Sequence, residues 1–253
     1  MQLEYYGFSD KPFELSPDLK FLYLSLGFRM ALETAARGII ERKGLIVLTG
    51  EVGTGKTMLI YGVMEKLPPK VKTAFIFHST YNFKELLQQL FYESEEAVPT
   101  GGIAELKTSF LKYLNQLKDR GELLAILLDE AQKLSEEVFK GLFSLLETEP
   151  WVSETLQVVL VGQPELEETF NAAFLRYHPK ITPLRIKISL LSSKESLEYI
   201  EHRLRKVGRS SVDIFSSQSL SRIVEKAGGI PRVINIICDN ALFAGFRGSV
   251  RRI

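Results

Sequence analysis

Gly50-Glu51-Val52-Gly53-Thr54-Gly55-Lys56-Thr57 carries the spacing G-x-x-x-x-G-K-T, a pattern whose chemistry is the holding of phosphates. Its glycines let the backbone turn so that successive N–H groups point inward at phosphate oxygens, and a helix opening at the end of the loop adds its positive end. Lys56 is expected to reach the β and γ phosphates of ATP, and Thr57 to ligate Mg²⁺ through its hydroxyl. Together with Met58, the residues Gly50, Glu51, Val52, Gly53, Thr54, Gly55, Lys56 and Thr57 form the expected nucleotide-binding segment.

A second set of residues completes that chemistry. The apolar run Leu124-Ala125-Ile126-Leu127-Leu128 ends in Asp129-Glu130. A carboxylate at the end of such a strand is placed to order Mg²⁺ and its waters, which is the role expected of Asp129. Glu130 is then the natural base, polarising a water for in-line attack on the γ phosphate. Val159-Leu160-Val161-Gly162-Gln163 ends another strand in a polar residue, and Gln163 is expected to sense the γ phosphate or hold the attacking water. Arg232, after Gly229-Ile230-Pro231, opens a helix where a cation is slightly unfavourable. That misfit favours a role on the nucleotide, with the angle of its domain depending on what is bound.

The elements that must position these residues are legible as alternating patterns. Short continuous apolar runs at 45–49, 73–77, 123–128, 156–161 and 184–188 suit strands buried on both faces of a parallel sheet. Between them lie helical patterns at 57–67, 83–91, 104–117, 136–147 and 165–174, preceded by one at 28–42 with Gly44 near its C-cap. Strands alternating with helices predict right-handed βαβ units, hence an α/β fold: a five-stranded parallel sheet flanked by helices over residues 29–191. Residues 193–208, 216–227 and 231–246 are helical with no strand between them, so a helical lid is expected over 192–253. Residues 1–28 are aromatic and turn-rich and read as an arm packed on the core.

Composition removes several classes of function. At 253 residues, 45% hydrophobic and 25% charged, the chain can bury a substantial core and lies far from the signature of disorder. Its longest apolar run falls far short of the ~20 residues that cross a bilayer, so no direct membrane insertion is expected. The start, Met1-Gln2-Leu3-Glu4-Tyr5-Tyr6-Gly7-Phe8, lacks a basic, then apolar, secretory signal. Cytoplasmic placement is therefore expected, at the inner membrane only through partners or further sequence. Cys238 is the only cysteine and reads as a small apolar helix residue. Residues 192–253 carry 11 Lys/Arg against 6 Asp/Glu, an asymmetry that can mark a surface for nucleic acid or anionic lipid.

With those residues in place the chain resembles the ExeA/GspA-type ATPases of bacterial secretion and envelope assembly, a branch of the AAA+ proteins. The resemblance covers nearly the whole chain. It rests on Tyr6-Gly7-Phe8 through Pro12-Phe13 and Ser16-Pro17-Asp18, on Lys43-Gly44 leading into the phosphate loop, and on Asp129-Glu130-Ala131-Gln132. Val161-Gly162-Gln163-Pro164-Glu165-Leu166, Tyr199-Ile200-Glu201-His202-Arg203-Leu204 and Gly228-Gly229-Ile230-Pro231-Arg232 continue it. It implies that Gln163 is a first sensor and Arg232 a second. It also implies a ring or filament of copies with ATP at subunit interfaces, serving envelope or secretion proteins.

The chain departs from that family in three places. Where members usually carry an arginine before the fifth strand, it reads His178-Pro179-Lys180-Ile181. Lys180 stands near that place, with Arg176 and Arg185 as alternatives. Lysine is a point charge with poorer geometry than arginine for a γ phosphate across an interface, so slow turnover is expected. Phe28 stands where the family often has a histidine. Secretion relatives often continue into a membrane helix and a peptidoglycan-binding domain, whereas this sequence stops at Ile253, as a piece of a longer chain or a stand-alone ATPase would. Two other readings stay open at this point. One is an ATP-dependent binder of duplex DNA through the basic lid, including Arg247, Arg251 and Arg252. The other is a nucleotide-gated scaffold with little turnover.

Overall fold

Five parallel strands, β1 (Leu45–Thr49), β2 (Val71–Ile76), β3 (Leu123–Leu128), β4 (Leu156–Gly162) and β5 (Leu184–Lys187), form one sheet in the order β2-β3-β4-β1-β5. They belong to a computed structural model that describes residues 2–77, 81–177 and 179–253. The helices, in chain order, are α1 (Gln2–Tyr6), α2 (Leu26–Ile40), α3 (Lys56–Lys66), α4 (Phe83–Glu93), α5 (Ile103–Asp119) and α6 (Glu136–Leu146). They continue with α7 (Pro150–Thr155), α8 (Glu165–Tyr177), α9 (Ser193–Arg205), α10 (Ser211–Ile214), α11 (Ser217–Ala227) and α12 (Pro231–Arg247). None among the described residues is long and apolar enough to cross a membrane. The chain gathers into two units, one of Met30–Gly50 with Ile60–Ile188, the other of Met1–Arg29, Glu51–Leu59 and Ser189–Ile253.

In the first unit the three inner strands are buried along their whole length, as an inner parallel strand covered on both faces must be. Edge strand β2 begins two residues before its apolar run because Lys72 points to solvent there. β5, the other edge, is largely uncovered. Gln157 is the polar exception inside β4. It is fully buried and satisfied on both sides, its Oε1 accepting from the Gly44 N–H at 2.6 Å and its Nε2 donating to the Ser153 carbonyl at 2.8 Å. That side chain fixes where β1 starts against β4. Helices α4, α5, α6 and α8 cover the sheet with a core rich in aromatic rings, Phe139, Phe143, Phe170 and Phe174 among them. Short α7 has Pro150 at its first turn and is too brief to show a helical period.

The second unit corrects the expected position of the N-terminal arm. Tyr6, Phe8, Phe13 and Phe21, expected on the α/β core, are buried instead in the core of the helical unit with Tyr199, Ile200, Leu204, Phe215 and Leu242. Aromatic, turn-rich sequence says that a segment must be covered but not by what. The cover here is fastened by Arg203, a buried cation on α9. Its guanidinium donates to the carbonyl of Pro12, to that of Glu14 at 3.3 Å and to the Tyr199 hydroxyl at 2.9 Å. It also lies 4.6 Å over the Phe21 ring. Tyr199 passes the chain on to Asn235 of α12 at 2.9 Å. Carbonyls and ring faces thus take the place of a carboxylate partner. The Tyr6 hydroxyl donates to the Leu242 carbonyl at 2.9 Å, and Cys238 sits buried in the same core, where burial pushes its thiol up.

Glu201 on α9 ties down α10. Burial alone would raise its pKa, but hydrogen bonds from Ser211, Arg205 and Ser210 outweigh it and hold the carboxyl at about 2. Because the folded value lies below the ordinary 4.5, its stabilisation is present above that pH and is lost as pH falls toward 2. Glu201→Gln should lower the melting temperature at neutral pH, with the gap to the parent closing between pH 4.5 and 2; a gap that does not change with pH in circular dichroism melts would contradict this. Arg203→Met should cost about 2–4 kcal/mol in urea unfolding, since the buried Pro12 carbonyl, the part-buried Glu14 carbonyl and the Tyr199 hydroxyl lose their donor.

Candidate functional site

The carboxyl ends of the inner strands meet at one edge of the sheet. Because β1 and β4 are neighbours in register, with Thr49 opposite Gly162, the first residue of the phosphate loop leaves the sheet beside the end of β4, and the Gly50 N–H donates to the Gly162 carbonyl at 3.2 Å. β3 ends next to them. The Asp129 N–H continues the ladder to the Ile76 carbonyl at 3.0 Å, and its side chain is buried. The Asp129 carboxylate accepts the Glu130 N–H at 2.9 Å. Glu130 itself is left-handed, at φ 54° and ψ 35°, a conformation that costs a non-glycine residue on the order of 1–2 kcal/mol.

That turn aims the Glu130 carboxylate at two donors, Gln132 Nε2 at 3.0 Å and Lys133 Nζ at 3.1 Å. The other end of the Gln132 amide accepts the Gln163 N–H at 3.2 Å. Asp129, Glu130 and Gln163, chosen from separate stretches of sequence, are therefore brought together, and Gln132 links two of them. Only its place in the string Asp129-Glu130-Ala131-Gln132 singled it out beforehand. Gly162 makes room for it: a Cβ there would stand 2.6 Å from Gln132 Oε1.

The loop residues Glu51–Leu59 gather with the helical unit. Gly53 and Gly55 hold φ of +83° and +95°, which only glycine adopts freely. The Glu51 carbonyl accepts from the Thr54 hydroxyl at 2.8 Å and from Lys56 Nζ at 3.0 Å, so the loop curls on itself around a largely buried lysine. Thr57 is the second residue of α3. Glu51 and Val52 turn their side chains to solvent, and Met58 is half-buried. The Phe28 ring approaches to 3.4 Å of where a Gly55 Cβ would be, an apolar wall against the loop.

Arg232 is brought to the same loop by its backbone as well as its side chain. Gly228 ends α11 in the left-handed conformation, Gly229 packs where a Cβ would stand 2.2 Å from the Leu191 carbonyl, and Pro231 opens α12. The Arg232 N–H, one of the donors that a helix start leaves over, donates to the Gly53 carbonyl at 3.2 Å.

The three candidates for a cation from a neighbouring copy differ. Arg176 makes two hydrogen bonds to Glu136, at 2.6 and 2.8 Å; the Tyr177 hydroxyl first, then these, hold the Glu136 carboxyl below its ordinary value. Arg185 pairs with Glu167 and donates to Asn171 at 2.7 Å. Lys180 is exposed, and its backbone N–H, not its ammonium, reaches Glu147. His178 lies outside the described residues.

These features fit a magnesium nucleotide. Two glycines shape a curled loop at a helix start, and a buried carboxylate stands at the strand edge from which that loop departs. Among the described residues no three His, Cys, Asp or Glu cluster as a metal cage; Mg²⁺ takes one or two protein oxygens and otherwise phosphates and water, and Asp129 and Thr57 offer such oxygens.

Residues 39–170 match the AAA domain family, and that stretch holds both the phosphate loop and the Asp129-Glu130 strand end. The chain belongs to the AAA domain family. It is 35% identical to General secretion pathway protein A of Aeromonas hydrophila over 98% of this chain, and spans 46% of that relative's length. The AAA fold extends to solved structures of low identity. Cdc6p of Pyrobaculum aerophilum has a TM-score of 0.74 at 15% identity, with 97% of this chain and 68% of that one covered. The ORC2 protein of Aeropyrum pernix, in ADPNP-ADP complexes, has a TM-score of 0.69 at 16% identity, covering 97% and 70%.

Gly53 packs against α12, and a Cβ there would stand 2.7 Å from that of Arg232. Gly53→Ala is expected to lose about 1–3 kcal/mol of stability without nucleotide. An unchanged urea midpoint would refute the close approach.

Proposed function

We propose that this AAA protein binds MgATP on the loop of residues 50–57 and hydrolyses it slowly, to drive assembly or remodelling of a ring or filament of its own copies. The observation that carries the reading is a complete phosphate loop leaving β1 at the sheet edge where Asp129 and Glu130 end β3. Backbone N–H groups of the loop and Lys56 hold the phosphates, Thr57 and Asp129 hold Mg²⁺, and the metal supplies charge neutralisation on the phosphate oxygens. Glu130 orients a water and takes its proton as that water's oxygen bonds to the γ phosphorus and the bond to the ADP oxygen breaks, leaving ADP and phosphate. Gln163 positions the water from the end of β4. Arg232 places α12 against the loop, so nucleotide contacts there bias the helical unit.

Slow turnover follows from the cations. Arg176 and Arg185 are engaged by Glu136 and Glu167 of their own chain, which leaves Lys180 as the residue to meet a neighbour's nucleotide. Likeness to General secretion pathway protein A supports work on a secretion or envelope machine, with the whole relative's partners beyond the stretch matched here. Duplex DNA as partner draws less support. Arg203 and Arg209 of the basic segment turn inward to arm carbonyls, and Arg205 pairs with Glu201, so the charge excess is partly used inside the unit.

Lys56→Ala should abolish binding of a fluorescent ATP analogue at micromolar concentration. Glu130→Gln should keep that binding while turnover falls by about a hundredfold or more, the share that general base catalysis commonly contributes. Light scattering with ATP should show a larger particle than without. A Glu130→Gln variant that hydrolyses at the parent's rate would remove the assigned base, and a parent that binds ATP with no turnover would leave a nucleotide-gated scaffold.

A further inference from the structure

Glu130 is an unusual place for a flexible carboxylate. Its backbone is left-handed, its N–H is held by Asp129, and its Oε2 takes two donors from the next turn, Gln132 and Lys133. Of those donors Lys133 is exposed and swings on a long stem, so it supplies charge more than direction. Gln132 is different. Its amide is clamped at both ends, with Nε2 on an acceptor-only carboxylate and Oε1 under a donor-only N–H. These partners fix which end is which.

The partner at the second end is the backbone of Gln163, at the turn that leaves β4. The preceding residue, Gly162, accepts the N–H of Gly50, the first residue of the phosphate loop. Gly162 also lacks the Cβ that would collide with Gln132 Oε1. One side chain therefore spans from the carboxylate after β3 to the turn after β4, and that turn is bonded to the start of the loop after β1.

We propose that Gln132 is a positioning residue: it holds the Glu130 carboxylate in its working direction and links that direction to the Gly162–Gln163 turn. The role rests on the ATPase reading for its consequence, though the bridge itself does not. A change in the turn when Gln163 meets a γ phosphate is passed to Glu130 through a single amide. Gln132 touches no substrate in this role, and its effect falls on turnover and not on binding.

The test uses the full chain in two arms. In the first, Gln132→Met, of similar volume and without hydrogen bonds, and Gln132→Glu, which keeps an acceptor for Gln163 and repels Glu130, are compared with the parent by steady-state ATP hydrolysis. Each is used once its urea midpoint shows it folded. Both should lose about tenfold or more in kcat with KM for ATP within about twofold. Added to Glu130→Ala, Gln132→Met should cause no further loss, since both act through one group. A kcat within twofold of the parent, or losses that simply add, would overturn the proposal.

The second arm needs no turnover and no Gln132 variant to fold. In protein labelled with ¹⁵N-glutamine, the Gln132 side-chain NH₂ signal should move on Glu130→Ala and stay in place on Gln163→Ala, which keeps the backbone N–H. A signal indifferent to Glu130→Ala would overturn the bridge. A parent without hydrolysis, by contrast, would fail the ATPase reading, and the NMR shift would then decide the bridge by itself.

Discussion

Adjacency of β1 and β4 in the sheet is the constraint on which the chemistry depends. Parallel strands all deliver their carboxyl ends to the same edge, and with β4 next to β1, whatever follows β4 stands beside whatever follows β1. Buried Gln157 fixes the start of that pair and the Gly50–Gly162 hydrogen bond closes its end. A slip of one residue would bring every inner side chain of β1 to the wrong face and break the bond between Gly50 and Gly162. The register is thus a condition of the proposed chemistry as much as of packing.

The helical unit solves a different problem. Its arm carries four buried aromatic residues but, among the described residues, only the short helix α1 and a 3-10 turn at Leu19–Phe21 before α2, so its backbone carbonyls need donors from elsewhere. Arg203 provides several at once, in a plane that also covers Phe21 and Tyr199. A lysine could not reach two carbonyls and a hydroxyl together from one rigid head. By the same economy of donors, the start of α12 meets the Gly53 carbonyl, and a structural need of a helix end becomes a contact with the phosphate loop.

How far the sequence foretold this arrangement depended on whether a signal was local. The strands are plain because Leu123 to Leu128 and Leu156 to Val161 are nearly unbroken apolar runs, and the polar residues that end them are Asp129 and Glu130 in one case and Gln163 in the other. Helices α1, α7 and α10 span too few residues for a period to form. The arm's cover is not legible in the sequence because Phe8 and Phe13 declare burial without naming a partner far away in the chain. The string Asp129-Glu130-Ala131-Gln132 includes Gln132 but gives it no role, for a related reason: a bridge from residue 130 to residue 163 exists only once the two strand ends are side by side.

Glu130 leaves one more mark on the molecule. Its left-handed backbone is a shape in which glycine would sit without strain, so the fold by itself would be better served by a residue with no side chain. A search for stabilising substitutions that scored only backbone comfort would replace the proposed base along with Arg42, Glu95 and Ser249, which share its left-handed backbone. On the proposed role, stability and chemistry ask for opposite residues at this position, and what sets Glu130 apart from left-handed Glu95 is its place at the end of β3 beside buried Asp129.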